Sequence, residues 1–158
     1  MGLADQLVKE SEAIVKAKDL KAATKALDNV GHIMDQMRGC EKHYLREENV
    51  LFPALDRHGI KEPPAIMWME HDQIRAIMKG LCRVYEERAN IPFKELKASM
   101  AQGAGVMQAT LQGHFLTEDD ILFKTAAKAI PECDWPEISH QFDEIGYFCS
   151  KQKSEARP

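Results

Sequence analysis

Two ten-residue segments of this chain repeat one another at positions able to bind a metal. The segment starting at His43 reads HYLREENVLF and the one starting at His114 reads HFLTEDDILF. Five of the ten positions are identical, and most of the others are conservative changes. Each segment carries a histidine and a glutamate four residues apart, His43 with Glu47 and His114 with Glu118. On a helix such a pair shares a face, about 6 Å apart along the axis, so each segment offers an imidazole and a carboxylate to one point. Imidazole and carboxylate together suit iron, and also manganese or zinc. The spacing alone is weak, because four of the six histidines have a glutamate four residues later. His58 and Glu62 fall across a loop before Pro63, and His140 and Glu144 lie off an apolar face; both read as surface pairs. His32 is 11 residues before His43. It shares that face but lies about 16 Å away along the axis, and reads as a capped or hydrogen-bonded histidine.

The elements that must position these groups are long helices. Apolar residues recur at alternating spacings of three and four. Helix A is expected over about 3–18, with Leu3, Leu7, Glu10, Ile14 and Ala17 on its seam. Helix B is expected over about 20–57, bent late by Pro53. Helix C, about 64–89, carries Met67, His71, Ile74, Met78, Leu81 and Tyr85 on its seam, and helix D, about 92–129, carries His114 and Glu118. A last helix over about 135–150 turns Trp135, Ile138, Phe142, Ile145 and Cys149 to one side and should pack outside the bundle. No segment alternates as a strand does. Short connections between long helices favour an up-down-up-down antiparallel four-helix bundle with a short fifth C-terminal helix. The bundle takes in residues 1–150, and 151–158 form a tail.

Three seams therefore bury a histidine and two also bury a glutamate. A buried carboxylate without a partner costs several kcal/mol or more, on the order of other isolated buried charges. A metal ion compensates most directly, and helical bundles build two-metal sites from inward-facing Glu and His. Depth supports the grouping: His43 lies 14 residues before position 57, His71 lies early in helix C, and His114 lies late in helix D. By the same alignment helix A reaches that depth near residue 10, which makes Glu10 the sixth expected ligand. Glu48 and Asp119, each next to a motif glutamate, either hydrogen-bond the imidazoles or stand as solvated surface acids, and the sequence favours neither. Tyr44, Trp68, Met67 and Met78 read as packing around the site, and Cys40 and Cys82 as core fillers. Arg75 either covers the pocket or reaches solvent.

Composition removes other classes. The chain has 158 residues, 44% hydrophobic and 29% charged, with net charge -4, so one soluble domain with a real core is expected. Lys and Arg are dispersed, which argues against nucleic acid or anionic lipid as a partner. No apolar run reaches the ~18 residues of a membrane span. Neither a secretory signal nor a myristoylation site is expected, since position 6 is Gln. The four cysteines form no CxxC and read as reduced thiols in a cytoplasmic protein.

At these motifs the sequence resembles the hemerythrin-like, HHE cation-binding family. The resemblance runs through HYLREENVLFPAL, HGIKEPPAIMWMEHDQIR, HFLTEDDILF and FDEIGY. The last three are similar to the hemerythrin domain of DUF438-type proteins. It implies His43, His71 and His114 as terminal ligands, Glu47 and Glu118 as bridges, and two iron ions with an oxo or hydroxo bridge. The chain also departs from the family. A histidine early in the first helix is usual, and here Leu7 to Glu12 contains none. Oxygen carriers place a second histidine four residues after that of the third helix, where this chain has Arg75. If Glu10 supplies a carboxylate instead, its charge favours the ferric pair and faster autoxidation than in an oxygen carrier.

Three functional readings stay open. The first is a binding or sensing module for O2, nitric oxide or peroxide, with room for a signalling partner protein, as monomer or homodimer. The second is a di-iron oxidoreductase of peroxidase or nitric oxide reductase type. The third is iron storage or delivery.

Overall fold

The computed structural model describes residues 2–147. Among them there is no strand. Four helical legs form the bundle. The first is α1, Leu3–Lys16. The second is broken into α2, Thr24–Arg38, α3, Glu41–Arg46, a π turn over Glu47–Leu51, and α4, Phe52–Arg57. The third is α5, Glu62–Glu86. The fourth is α6, Phe93–Thr117, a π turn over Glu118–Leu122, and α7, Phe123–Ala129. A 3-10 turn over Glu132–Asp134 leads to α8, Trp135–Ile145. The legs close a ring in which α1 touches α2 and α6, and α5 touches the same two. The two legs bearing the repeated motifs thus sit diagonally and run parallel, as alternation of direction requires.

The expected second helix over 20–57 is shorter and interrupted. The chain turns around Asp19, whose side chain accepts the Ala22 N–H at 2.8 Å, and becomes helical only at Thr24. It breaks at Gly39 and Cys40, whose N–H groups bond three residues back to Gln36 and Met37. Glycine's poor helix propensity places the break there.

The π turns are a second departure. In each, a glutamate carbonyl accepts an N–H five residues on, Phe52 to Glu47 and Phe123 to Glu118. Proline is not the cause. Lys124 stands where Pro53 stands in the other copy, and both copies bulge. Pro53 falls in the first turn of α4, where its missing N–H costs little.

The core has two parts. One joins α1, α2, α5 and α6 through Leu7, Ile14, Val30, Met34, Ile74, Leu81, Leu96, Met100 and Met107. The other joins the far ends of the motif legs to α8, through Leu51, Phe52, Leu55, Met67, Leu122 and Ile138. Trp135, Phe142 and Ile145 also pack there, as expected of an outer helix. Gly146 ends α8 at φ 86, in the left-handed region that favours glycine. Cys149, the last turn expected for this helix and the 151–158 tail lie outside the described residues.

Candidate metal centre

The motif residues meet between the two parts of the core. Glu47 and Glu118 are buried, His71 and His114 are fully so, and the His43 side chain keeps 29% of its exposure. Each glutamate turns its two oxygens to two different imidazoles. Glu47 places Oε2 3.1 Å from His71 Nε2 and Oε1 3.7 Å from His43 Nε2. Glu118 places Oε1 3.2 Å from His43 Nε2 and Oε2 3.6 Å from His114 Nε2. The π turns contribute to this arrangement: the bulge begins at the glutamate itself, and both Glu47 and the apolar residues after it stay buried.

Despite these approaches, His43 Nε2, His71 Nε2, His114 Nε2, both oxygens of Glu47 and Glu118 Oε2 are buried without a hydrogen-bond partner among the protein atoms. Unsatisfied buried polar atoms cost about 1–3 kcal/mol each, and more where charged. Two clusters have donor atoms within 4.8 Å of one another: His43, His114 and Glu118, and Glu47, His71 and His114. Either could hold a metal ion, and the orphaned atoms are the donors that imidazole and carboxylate present to one.

The far side of each buried ring explains its aim. His71 Nδ1 lies 2.8 Å from Glu48 Oε1, and His114 Nδ1 lies 3.0 Å from Glu70 Oε2. Carboxylates only accept, so Nδ1 carries the proton in both rings and a neutral imidazole turns its Nε2 lone pair inward. Thr117 Oγ1 donates to the other oxygen of Glu70 at 3.1 Å. His71 is also held between rings, Tyr44 at 4.5 Å and Phe52 at 5.9 Å. Burial, with the negative charges around it, pushes the Tyr44 phenol well above its ordinary value and keeps it protonated. His43 has Arg46 behind it, within 3.5 Å of Nδ1. Burial opposes charging His43, but the Glu118 carboxylate beside it, with the charge of Glu47, raises its pKa above the ordinary imidazole value.

Of these two candidate outer partners, Glu48 is in place. Asp119 is exposed, and Glu70 holds His114 instead. Glu70 directly precedes His71, and that adjacency was the available signal. The bundle interior takes in Tyr44 and Met67, while Trp68 is exposed and rests against Phe52 at 6.1 Å.

Glu10 does not join the centre. Asp5 accepts from Gln108 at 2.8 Å and the Ala17 carbonyl accepts from Lys97, which fixes α1 antiparallel to α6. In that register Glu10 lies opposite residue 103, eleven residues before His114 and thus about 16 Å away along the axis. The buried polar residue of α1 is Ser11, bonded to the Leu7 carbonyl at 2.8 Å, while Glu10 is half-buried. Glu10 therefore adds no carboxylate charge to favour the ferric pair or faster autoxidation. Two surface readings also resolve. His140 and Glu144 form an exposed pair at 3.9 Å, but His58 pairs with Asp134 at 2.9 Å rather than with Glu62. His32 is exposed on α2. Cys40, Cys82 and Cys133 are free thiols.

A cavity of about 940 Å³ opens beside the centre. Its walls include the first turn of α1, with Met37, Cys40, Ile74, Met78, Cys82 and Leu111, and it meets the centre at His43, Tyr44 and Glu118. No helix among the described residues is long and apolar enough to cross a membrane. A family model described as the hemerythrin HHE cation binding domain matches residues 3–126, which take in every residue of the centre. No curated protein matches the chain.

Proposed function

This chain belongs to the hemerythrin HHE cation-binding family, and we propose that His43, Glu47, His71, His114 and Glu118 hold a pair of iron ions, with each glutamate spanning the two. The observation that carries this reading is the gathering of six buried, unpartnered donor atoms into two adjoining clusters that share His114. Each glutamate faces two imidazoles with its two oxygens, the disposition a bridging carboxylate needs. Around the centre stand the four carboxylates of Glu47, Glu118, Glu48 and Glu70 against the two guanidinium groups of Arg75 and Arg46. This excess of negative charge favours cations of high charge.

An iron pair supplies redox chemistry and open coordination positions suited to O2, nitric oxide or peroxide. The protein's part is to aim His71 and His114 through Glu48 and Glu70, and to keep water from the His71 side with Tyr44 and Phe52. The ligand enters from the cavity, past the partly exposed His43 and the buried Glu118. Binding and sensing of such a small molecule, in the cytoplasm, is the function this supports best. Metal analysis and the visible spectrum of aerobically purified protein test it. Two irons per chain with an oxo-bridge absorption are expected; less than one iron after iron supplementation would refute it.

One observation favours a second reading. The cavity is far larger than a diatomic ligand requires and matches the volume of sites for small organic molecules. Oxidation of a small organic substrate by hydrogen peroxide on the loaded protein would place it among di-iron oxidoreductases of peroxidase type instead.

A further inference from the structure

Arg75 follows His71 by one turn of α5, and its guanidinium is spent on carboxylates. Nη1 and Nη2 donate to the two oxygens of Glu48 at 2.8 and 3.0 Å. Nη2 and Nε donate to Glu41 Oε1 at 2.7 and 3.1 Å, and Nη1 reaches Asp72 at 3.2 Å. Glu48, whose side chain is 4% exposed, meanwhile accepts a hydrogen bond from His71 Nδ1–H at 2.8 Å. The planar fork matches both oxygens of one carboxylate, which a lysine ammonium cannot do. Its charge is fixed, and the hydrogen bonds it donates to Glu48 and Glu41 push its pKa higher still.

Among the described residues the His114 side has no such clamp. Glu70 behind His114 receives only the hydroxyl of Thr117 on its other oxygen, and its side chain is 24% exposed. The two inward-facing imidazoles therefore differ by one fixed positive charge in what stands behind them. Without Arg75, Glu48 would be a buried carboxylate held by an imidazole alone. It would be free to rotate, and its neighbour Glu47 lines the centre.

Resting on the metal-centre reading above, we propose that Arg75 is a positioning residue for one side of that centre: it pins Glu48, so that His71 keeps its Nε2 aimed at Glu47, and metal retention on the His71 side depends on it while retention on the His114 side does not.

The test uses Co(II) alone as the probe, bound anaerobically to the full chain and followed by its visible absorption during chelator challenge. Arg75→Met is expected to weaken one of the two ions about 10–100-fold, the usual effect of losing an outer-shell partner, and to leave the other within about threefold. Arg75→Lys keeps the charge without the fork and falls between the two. Glu41→Gln removes only the outer support of Arg75 and stays close to wild type. Glu70→Gln weakens the other ion. In the zinc-loaded protein the Nδ1 proton of His71, seen by NMR, exchanges faster in Arg75→Met than in wild type. Equal retention of both ions in Arg75→Met overturns the proposal, and so does a loss shared equally by both. If Arg75→Met fails to fold, Arg75→Lys decides: selective weakening of one ion supports the role, and wild-type retention of both overturns it. A wild-type chain that does not take up two Co(II) ions sinks the metal-centre reading itself, a different result from a wild type that binds both and variants that match it.

Discussion

Replacing Glu47 by Gln should change stability in opposite directions with and without metal. In the metal-free protein, the carboxylate is about 3% exposed and neither oxygen has a hydrogen-bond partner. Its nearest nitrogen, His71 Nε2 at 3.1 Å, presents a lone pair to it, and His43 Nε2 lies farther off at 3.7 Å. Gln removes the charge at nearly the same volume and adds a donor that the His71 lone pair can accept. Each unsatisfied buried polar atom costs about 1–3 kcal/mol, so metal-free Glu47→Gln should be more stable than metal-free wild type by about that much. For a chain of this size that corresponds to a rise in Tm of roughly 2–10 °C. Metal reverses the order. An ion at a hundred times its dissociation constant stabilises wild type by about 2.7 kcal/mol, and the variant lacks the carboxylate that would span the pair. Thermal unfolding of both proteins at pH 8, stripped by chelator and then loaded with Fe(II), measures all four values. If metal-free Glu47→Gln is less stable than wild type by more than about 1 kcal/mol, a protein group already satisfies that carboxylate, and the argument that its oxygens await a cation is wrong.

Other outcomes follow from the same geometry. Glu70→Gln takes the acceptor from His114 Nδ1, 3.0 Å away, and should weaken metal retention about 10–100-fold in a chelator competition. The pKa of His43 is raised in the fold, Glu118 and Glu47 outweighing the effect of burial. In the metal-free protein its protonation therefore adds stability that is complete below its ordinary value of about 6.5 and is lost as pH rises through the folded value. Denaturant midpoints between pH 5.5 and 8.5 should fall with rising pH, and His43→Gln should flatten the trend. A side chain at Gly103 would put its Cβ 2.5 Å from Leu81 Cδ2, in a core where Leu81 is 2% exposed. Gly103→Val should then cost about 1–3 kcal/mol by overpacking, read as a lower Tm.

Much of this was legible in the chain itself. The repeat around His43 and His114 marked both motifs, because an acid and a base recurring on the inward face in closely similar surroundings are hard to explain by packing alone. Glu48 was legible by its place beside Glu47. Glu70 was missed. It is equally adjacent to His71, but it lies outside the two repeated segments whose pattern singled out Glu48. The π turns were missed for a different reason. They are a change in which carbonyl accepts each N–H, and the side chains of HYLREENVLF and HFLTEDDILF fit an α-helical pattern as well.

Glu10 shows where the boundary lies. Periodicity within a helix is set by the backbone's own geometry, so the sequence by itself determined which face of each helix turns inward, and with it the three histidines and two glutamates. The axial register of one helix against another is set by contacts between side chains far apart in the chain. Asp5 with Gln108, and Lys97 with the Ala17 carbonyl, slide α1 to a position that leaves Glu10 about three turns from His114. Only the tertiary structure decided that, along with the clamp of Arg75 on Glu48 and the pairing of Glu70 with His114. Each joins residues on different helices whose approach no local pattern encodes.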